Sequence, residues 1–238
     1  LMRSYWFIIR MILIGGLILF LMGFAYDRNT QRVCRDLSVQ FVGNPQPFIA
    51  LDSVNKLLIQ NKGPLSSIPK ETLVLKEMEA RLLQHPMVYQ AQVFISIDGK
   101  IGAKIQTKKP IGRVLGTPGY YIDEQGQPMP LSNLYTAQVP IVTGEVLLHL
   151  EALKTLLLSI RSDEFLDAMV TEVAVDARGN CQLRLRQETY KLLLGPVSDV
   201  SEKLRNFKAF YQNMLEEQEQ KQFKIIDLRF NNQVVATE

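Results

Sequence analysis

The chain has 238 residues, a formal net charge of +3, two histidines and two cysteines. This length accommodates a membrane anchor and two small domains. So small and dispersed a charge argues against nucleic-acid binding. Two distant cysteines, Cys34 and Cys181, are too few for a disulfide framework.

An apolar segment lies near the N-terminus, and it contains no charged residue from Met11 to Tyr26. A helix needs about 20 residues to cross a bilayer. We therefore predict a transmembrane helix over Phe7–Tyr26, with the Arg10 side chain reaching to the headgroups. Residues 1–6 then form a short tail, expected to be incomplete because the chain starts with Leu1, and residues 27–36 form a juxtamembrane linker. The run is long for a cleaved signal peptide, which is the alternative.

The orientation of the anchor stays open at this point. Arginines lie on both sides of the apolar segment, at positions 3 and 10 before it and at 28, 32 and 35 after it. The positive-inside rule therefore favours neither direction.

The first soluble segment predicts a strand, two helices and a hairpin. Leu37–Val42 is a strand candidate that ends at a Gly-Asn-Pro turn, and helices are predicted over Leu51–Gln60 and from Pro69 to His85. Apolar residues then alternate with polar ones on both sides of Asp98-Gly99, a dipeptide typical of a tight hairpin. Only Phe94 breaks the polar face. The order strand–helix–helix–strand–strand ends at Lys108-Lys109-Pro110.

The remaining residues predict mixed strands and helices, so the fold class is α+β. The predicted strands are Arg113–Leu115, Tyr120–Ile122, Pro128–Pro130, Val139–Thr143, Val173–Val175, Cys181–Leu185, Tyr190–Leu194, Phe223–Phe230 and Gln233–Thr237. Leucine spacing predicts a helix over Val146–Ile160, and a second apolar stripe predicts one from Val200 to Leu215. The Arg178-Gly179-Asn180 turn joins Val173–Val175 and Cys181–Leu185 into a second hairpin, with Tyr190–Leu194 beside it, so we expect an antiparallel sheet.

No pattern in the sequence points to catalysis. His85 and His149 stand apart from each other and from the cysteines, and neither a nucleophile elbow nor a phosphate-binding loop is present. Asp123 and Glu124 are adjacent carboxylates in a predicted loop, and a turn explains them better than an acid–base pair. We therefore expect no catalytic residue, no cofactor, no metal and no small-molecule substrate.

Three segments carry a resemblance to a known family. They are the helix end and hairpin from Leu82-Leu83-Gln84-His85-Pro86-Met87-Val88 to Lys109-Pro110-Ile111-Gly112-Arg113-Val114, the turn Tyr121-Ile122-Asp123-Glu124-Gln125-Gly126, and the strand Ile226-Asp227-Leu228-Arg229-Phe230. In this order, behind an apolar anchor, the chain resembles the FtsQ/DivIB family of bacterial cell-division proteins.

The resemblance implies a fold, a location and partners. Residues 37–109 would be a POTRA domain and residues 110–238 the family's β domain. Both would lie in the periplasm, with the N-terminus in the cytoplasm and the protein in the inner membrane at the division septum. The family is a non-enzymatic scaffold that binds FtsB and FtsL and helps to control septal peptidoglycan synthesis. The FtsW/FtsI synthase pair is a further implied partner.

The resemblance also places the partner-binding surface at the end of the chain, where a partner segment adds along the last strand. A short terminal strand at a sheet edge would expose main-chain donors and acceptors to such a segment. The implied contact residues are Ile226, Leu228, Arg229, Phe230, Gln233, Val234, Val235 and Ala236. The chain departs from some relatives by having Pro196 after Gly195, where they have a basic residue. It also lacks an aromatic residue among positions 234–236.

Two other functions stay open from the residues alone. One is a POTRA-type component of protein translocation or outer-membrane assembly, which is disfavoured because no series of barrel strands follows. The other is a periplasmic cell-wall enzyme with an unrecognised carboxylate pair.

Overall fold

The computed structural model of the chain describes residues 2–30, 36–43, 48–59, 74–96, 100–216, 223–230 and 233–237. Helix α1 covers Met2–Thr30 and contains the apolar stretch Ile9–Tyr26, which is long and apolar enough to cross a membrane and is not buried against the protein. The helix continues past Tyr26 to Thr30 and so includes the first four residues of the predicted linker 27–36.

The chain divides into two compact units, Leu1–Thr107 and Lys108–Glu238. The first unit contains, after α1, strand β1 (Asp36–Phe41), helices α2 (Leu51–Ile59) and α3 (Leu75–Leu83), and strands β2 (Val88–Ile95) and β3 (Lys100–Thr107). This is the predicted order, and it confirms the α+β class. The limits 37–109 and 110–238 for the two domains stay predictions.

The three strands of the first unit lie in the order β1-β3-β2, with β1 parallel and β2 antiparallel to β3. Helices α2 and α3 pack on one face of the sheet because each buries one apolar side, with Val54 and Leu58 on α2 and Met78 and Leu82 on α3. The predicted hairpin is present as the β2–β3 pair, while its Asp98-Gly99 turn lies outside the described residues.

Phe94, the residue that breaks the polar pattern, lies on the outer face of this small sheet. Its ring covers Gly102 on the neighbouring strand so closely that a Cβ there would lie 2.3 Å from the ring. The Lys104 ammonium lies 5.8 Å from the ring centroid. The ring therefore packs over the bare backbone of Gly102, which accounts for an aromatic residue on a polar face.

In the described residues, the second unit is built on one sheet of nine strands. Its strands are β4 (Pro110–Val114), β5 (Tyr120–Asp123), β6 (Pro128–Pro130), β7 (Ile141–Gly144), β8 (Val170–Val175), β9 (Asn180–Leu185), β10 (Lys191–Pro196), β11 (Ile225–Asp227) and β12 (Val235–Thr237). Their spatial order is β12-β11-β10-β9-β8-β7-β4-β5-β6. Three neighbouring pairs, β4–β7, β7–β8 and β10–β11, are parallel, and the others are antiparallel.

One face of this sheet is covered by helices α4 (Leu150–Arg161), α5 (Glu164–Met169) and α6 (Val200–Glu216). The register aligns a single row of apolar side chains across six strands against these helices: Val142, Val173, Leu183, Leu192, Ile226 and Ala236. The neighbouring row, one residue along each strand, points to the opposite face and includes Arg184, Lys191 and Thr237, which are exposed.

Three details differ from the predicted elements. Helix α5 was not predicted, because six residues are too few to show a helical period. The helix predicted from Val146 begins with a 3-10 turn over Val146–His149. The strand predicted over Phe223–Phe230 is regular only over Ile225–Asp227.

The Asp123-Glu124 pair is a structural turn. Asp123 is fully buried, and its Oδ1 accepts hydrogen bonds from the amides of Gln125 and Gln127 at 3.0 and 2.7 Å. Its Oδ2 lies 3.1 Å from the Lys108 ammonium. The Glu124 side chain, by contrast, is 39% exposed and lies 4.0 Å from Lys109. The two carboxylates therefore have different environments, and the buried one closes the β5–β6 turn.

We predict that Asp123→Ala lowers the free energy of unfolding by about 2–3 kcal/mol, because it leaves two turn amides and a lysine without their acceptor. The adjacent Glu124→Ala is the matched control and changes it by less than about 0.5 kcal/mol. Urea denaturation followed by circular dichroism measures both values. Equal effects from the two substitutions would contradict the assignment of Asp123 to the turn.

Candidate functional site at the C-terminal sheet edge

Among the described residues, β12 is the last strand, and it forms one end of the large sheet. Among the strands that the structure describes, β12 pairs with β11 alone, with Ile225 opposite Thr237 and Asp227 opposite Val235. On its other side β11 bonds to β10, where the Leu228 amide donates to the Leu193 carbonyl at 2.9 Å. Alternation of main-chain groups along β11 then directs Ile225 and Asp227 toward β12. Consequently Val235 and Thr237 bond inward, and the N–H and C=O of Ala236 point to the outer edge.

Two other sheet edges are protected against pairing with a further strand. At the opposite end of the large sheet, β6 has Pro128 and Pro130, which have no N–H to offer. In the first unit, the outward N–H of Val93 on β2 donates to the Glu79 carboxylate of α3 at 2.8 Å. Strand β1 forms the remaining edge, and residues 31–35 before it lie outside the described residues.

The predicted contact residues fall into three groups by their burial. Ile226 and Leu228 belong to the core, with exposed fractions of 0% and 1%, so they hold the edge in place and do not present side chains to solvent. Val234 and Ala236 are half-buried and pack against the same core. The side chains open to solvent are those of Arg229, Phe230 and Gln233, and Val235 is partly exposed. Phe230, predicted to share the face of Ile226 and Leu228, is 52% exposed because the strand has ended before it.

Arg229 is held by Asp227. Its Nε lies 2.9 Å from Oδ1 and 3.0 Å from Oδ2 of Asp227, and a terminal nitrogen lies 2.5 Å from Oδ2. Asp227 is buried to 8% exposure, whereas the Arg229 side chain is half exposed. The hydrogen bonds from Arg229 lower the pKa of Asp227, so the pair stays ionised. It fixes the guanidinium on the open sheet face beside β12.

Gly195 lies beneath this arginine. It has a φ of 70° at a bulge in the β9–β10 pairing, and a Cβ there would lie 2.8 Å from Cγ of Arg229. Glycine fits this position for two reasons: it adopts the left-handed backbone without strain, and it has no Cβ to block the arginine stem. The sequence prediction did not include Asp227 in the site. The Asp-x-Arg spacing could have indicated it, because alternate residues of a strand share a face.

The remaining positions named from the sequence are the ends of the membrane span and the two cysteines. Tyr26 is exposed at the end of the apolar stretch, and Phe7 lies on α1, with its side chain outside the described residues. Cys181 is a buried free thiol, and burial raises its pKa to about 11. Cys34 falls outside the described residues. Within the described ranges, no three His, Cys, Asp or Glu side chains come together as a metal site would require.

An apolar N-terminal helix followed by two α+β units fits the class of single-pass membrane proteins with folded extramembrane domains. The profile of the family described as "FtsQ/DivIB, C-terminal related" matches residues 109–237, more than half of the chain. The chain therefore belongs to the FtsQ/DivIB family.

Two curated relatives agree with this assignment. The chain is 27% identical over 173 residues to "Cell division protein FtsQ" of Rhodothermus marinus, which covers 66% of this chain and 63% of the relative. It is 27% identical over 177 residues to "Cell division protein FtsQ" of Salinibacter ruber, which covers 66% of both chains. The chain thus spans just under two thirds of the length of these relatives.

We predict that Gly195→Ala lowers the free energy of unfolding by about 1–2 kcal/mol, because alanine is strained at positive φ and its methyl group displaces Arg229. Gly116→Ala is the matched control, since the nearest atom to its Cβ would be the Pro118 carbonyl oxygen at 3.4 Å. Thermal denaturation compares the two. Equal tolerance of both substitutions would contradict the close packing of Arg229 on Gly195.

The Asp227–Arg229 pair also predicts a pH dependence. Because folding lowers the pKa of Asp227, its stabilising contribution is present above the ordinary aspartate pKa of about 3.9 and is lost as the pH falls through the folded value. The difference in unfolding free energy between the wild type and Asp227→Asn should therefore be clear at pH 7 and shrink below about pH 4. Urea denaturation at both pH values measures it. A difference that does not change with pH would contradict the ion pair.

Proposed function

We propose that this chain is a non-enzymatic scaffold of bacterial cell division that recruits a partner by strand addition to β12. Family membership and the names of its relatives support the role in cell division. The single observation that carries the binding mode is the position of β12 at the end of the described sheet, in a register from which we infer that the main-chain groups of Ala236 point outward. An incoming strand gains main-chain hydrogen bonds there without displacing any strand of the sheet.

The proposed partners are FtsB and FtsL, short coiled-coil proteins that each cross the membrane once. FtsW/FtsI is a further candidate, through which the scaffold would help to control septal peptidoglycan synthesis. The exposed group of Arg229, Phe230, Gln233 and Val235 would contact partner side chains. Ile226 and Leu228 would act by holding β11 in the core.

The proposed location follows from the same role. Helix α1 would anchor the protein in the inner membrane, with the N-terminus in the cytoplasm and both units in the periplasm at the division septum. Residues 37–109 and 110–238 would be the POTRA and β domains.

Two structural details weigh against the alternative functions. A translocation component of the POTRA type would offer a sheet edge to client strands, and the middle of the β2 edge is occupied by Glu79. A cell-wall enzyme built on the Asp123-Glu124 pair would need both carboxylates in a reactive site, and Asp123 is engaged in its own turn.

A pair of substitutions at one position tests strand addition. Ala236→Pro removes the outward N–H, and an edge strand tolerates proline where that N–H faces solvent. Ala236→Val adds similar bulk and keeps the N–H. We expect short single-pass coiled-coil proteins to co-purify from membranes with the wild type and Ala236→Val, and to be lost with Ala236→Pro.

Two further results would contradict the proposal. If the wild type never captures such proteins, the chain does not serve as their scaffold. If Ala236→Pro retains them, they bind elsewhere. Circular dichroism checks that each variant is folded, and a chain lacking residues 233–238 provides a second loss-of-edge variant.

A further inference from the structure

Lys203 is a buried lysine that the binding mode described above does not use. It lies in the first turn of α6 and has an exposed fraction of 8%. Its ammonium donates hydrogen bonds to the carbonyl oxygens of Leu194 and Pro196, each at 3.1 Å. An apolar side chain of similar length would fill the same space without the cost of removing a charge from water. We therefore attribute the lysine at this position to the hydrogen bonds that its ammonium donates.

The two carbonyls that Lys203 binds flank Gly195 on either side. Gly195 is the residue with φ of 70° at the β-bulge. The Pro196 carbonyl also accepts from the Ser198 amide at 2.8 Å. The Leu194–Gly195 peptide and the Pro196–Val197 peptide, one before and one after the glycine, are thereby held from the side of α6.

The turn at Gly195 contacts the partner-binding edge at two points. The stem of Arg229 lies against the glycine, and just before it the Leu228 amide donates to the Leu193 carbonyl. A shift of the turn would therefore move both the guanidinium and the strand that carries β12. Lys203 itself is too deeply buried to meet a partner.

We propose that Lys203 is a positioning residue for the β12 edge, acting through the Gly195 turn on Arg229 and β11. Its effect on partner binding rests on the proposed function, whereas its effect on the edge itself does not. In this arrangement α6 supports the binding surface from the opposite side of the sheet.

Hydrogen exchange of the full-length chain in lipid nanodiscs tests the effect on the edge. Lys203→Met keeps the apolar stem and removes the donors. We expect exchange to rise about tenfold in residues 192–199 and 225–230, while α4 and β8 stay unchanged. The control Leu153→Ala creates a cavity on α4 and should raise exchange without singling out these two segments. If Lys203→Met does not fold, Lys203→Gln, which keeps the N–H donors of an amide on a shorter stem, should show a smaller rise in the same two segments.

The outcome that overturns the inference is faster exchange in residues 192–199 with residues 225–230 unchanged, because Lys203 would then support only its own turn. A uniform rise in hydrogen exchange, like the rise expected for Leu153→Ala, would also overturn the inference.

Binding to the partners captured from membranes gives the second readout. Lys203→Met should weaken co-purification about tenfold, and it should add little to Arg229→Ala if both act on one contact. If the losses of co-purification caused by Lys203→Met and Arg229→Ala simply add in the double variant, Lys203 does not act through Arg229, and the inference is overturned. If the wild type captures no partner, the proposed function fails, and the exchange measurement alone decides the role of Lys203.

Discussion

The structure of the second unit depends on one row of buried side chains that runs across six strands beneath α4 and α6. The row ends at Ala236, so the last strand of the chain is held by its side chains on the inner face while its main chain stays open on the outer side. An edge strand held only by main-chain bonds would fray. Anchoring by the core keeps this edge ordered without closing it. A rigid, open edge is what strand addition requires.

Two other sheet edges, at β6 and β2, are protected against pairing, whereas the edge at β12 is open in the part of the chain that the structure describes. Prolines close β6, and a carboxylate from α3 takes the outward amide of β2. Open edges invite unwanted pairing, and proteins commonly protect them in such ways. At β12 the neighbouring features are different: an arginine fixed by Asp227, a glycine that admits it, and exposed side chains at Phe230 and Gln233. These features fit a surface shaped for a partner.

Much of the fold could be predicted from periodicity, because alternation and helical spacing report which side of an element is buried. The βααββ order, the hairpins of β2–β3 and β8–β9, and the stripes of α4 and α6 were all predictable. Features that depend on contacts between residues distant in sequence could not be predicted in this way. The burial of Leu228 and exposure of Phe230 depend on where β11 leaves the ladder, and the Gly195–Arg229 contact joins residues 34 positions apart. Lys203 looks like a surface residue in sequence because nothing local reveals the carbonyls that it meets.

Residue-resolved amide exchange with and without bound partner tests the central claim most directly. If a partner strand adds to β12, exchange of the Ala236 amide should slow markedly in the complex. The Val235 and Thr237 amides, already bonded to β11, should change little and serve as internal controls. Equal exchange of the Ala236 amide in the free and bound protein would contradict strand addition at this edge.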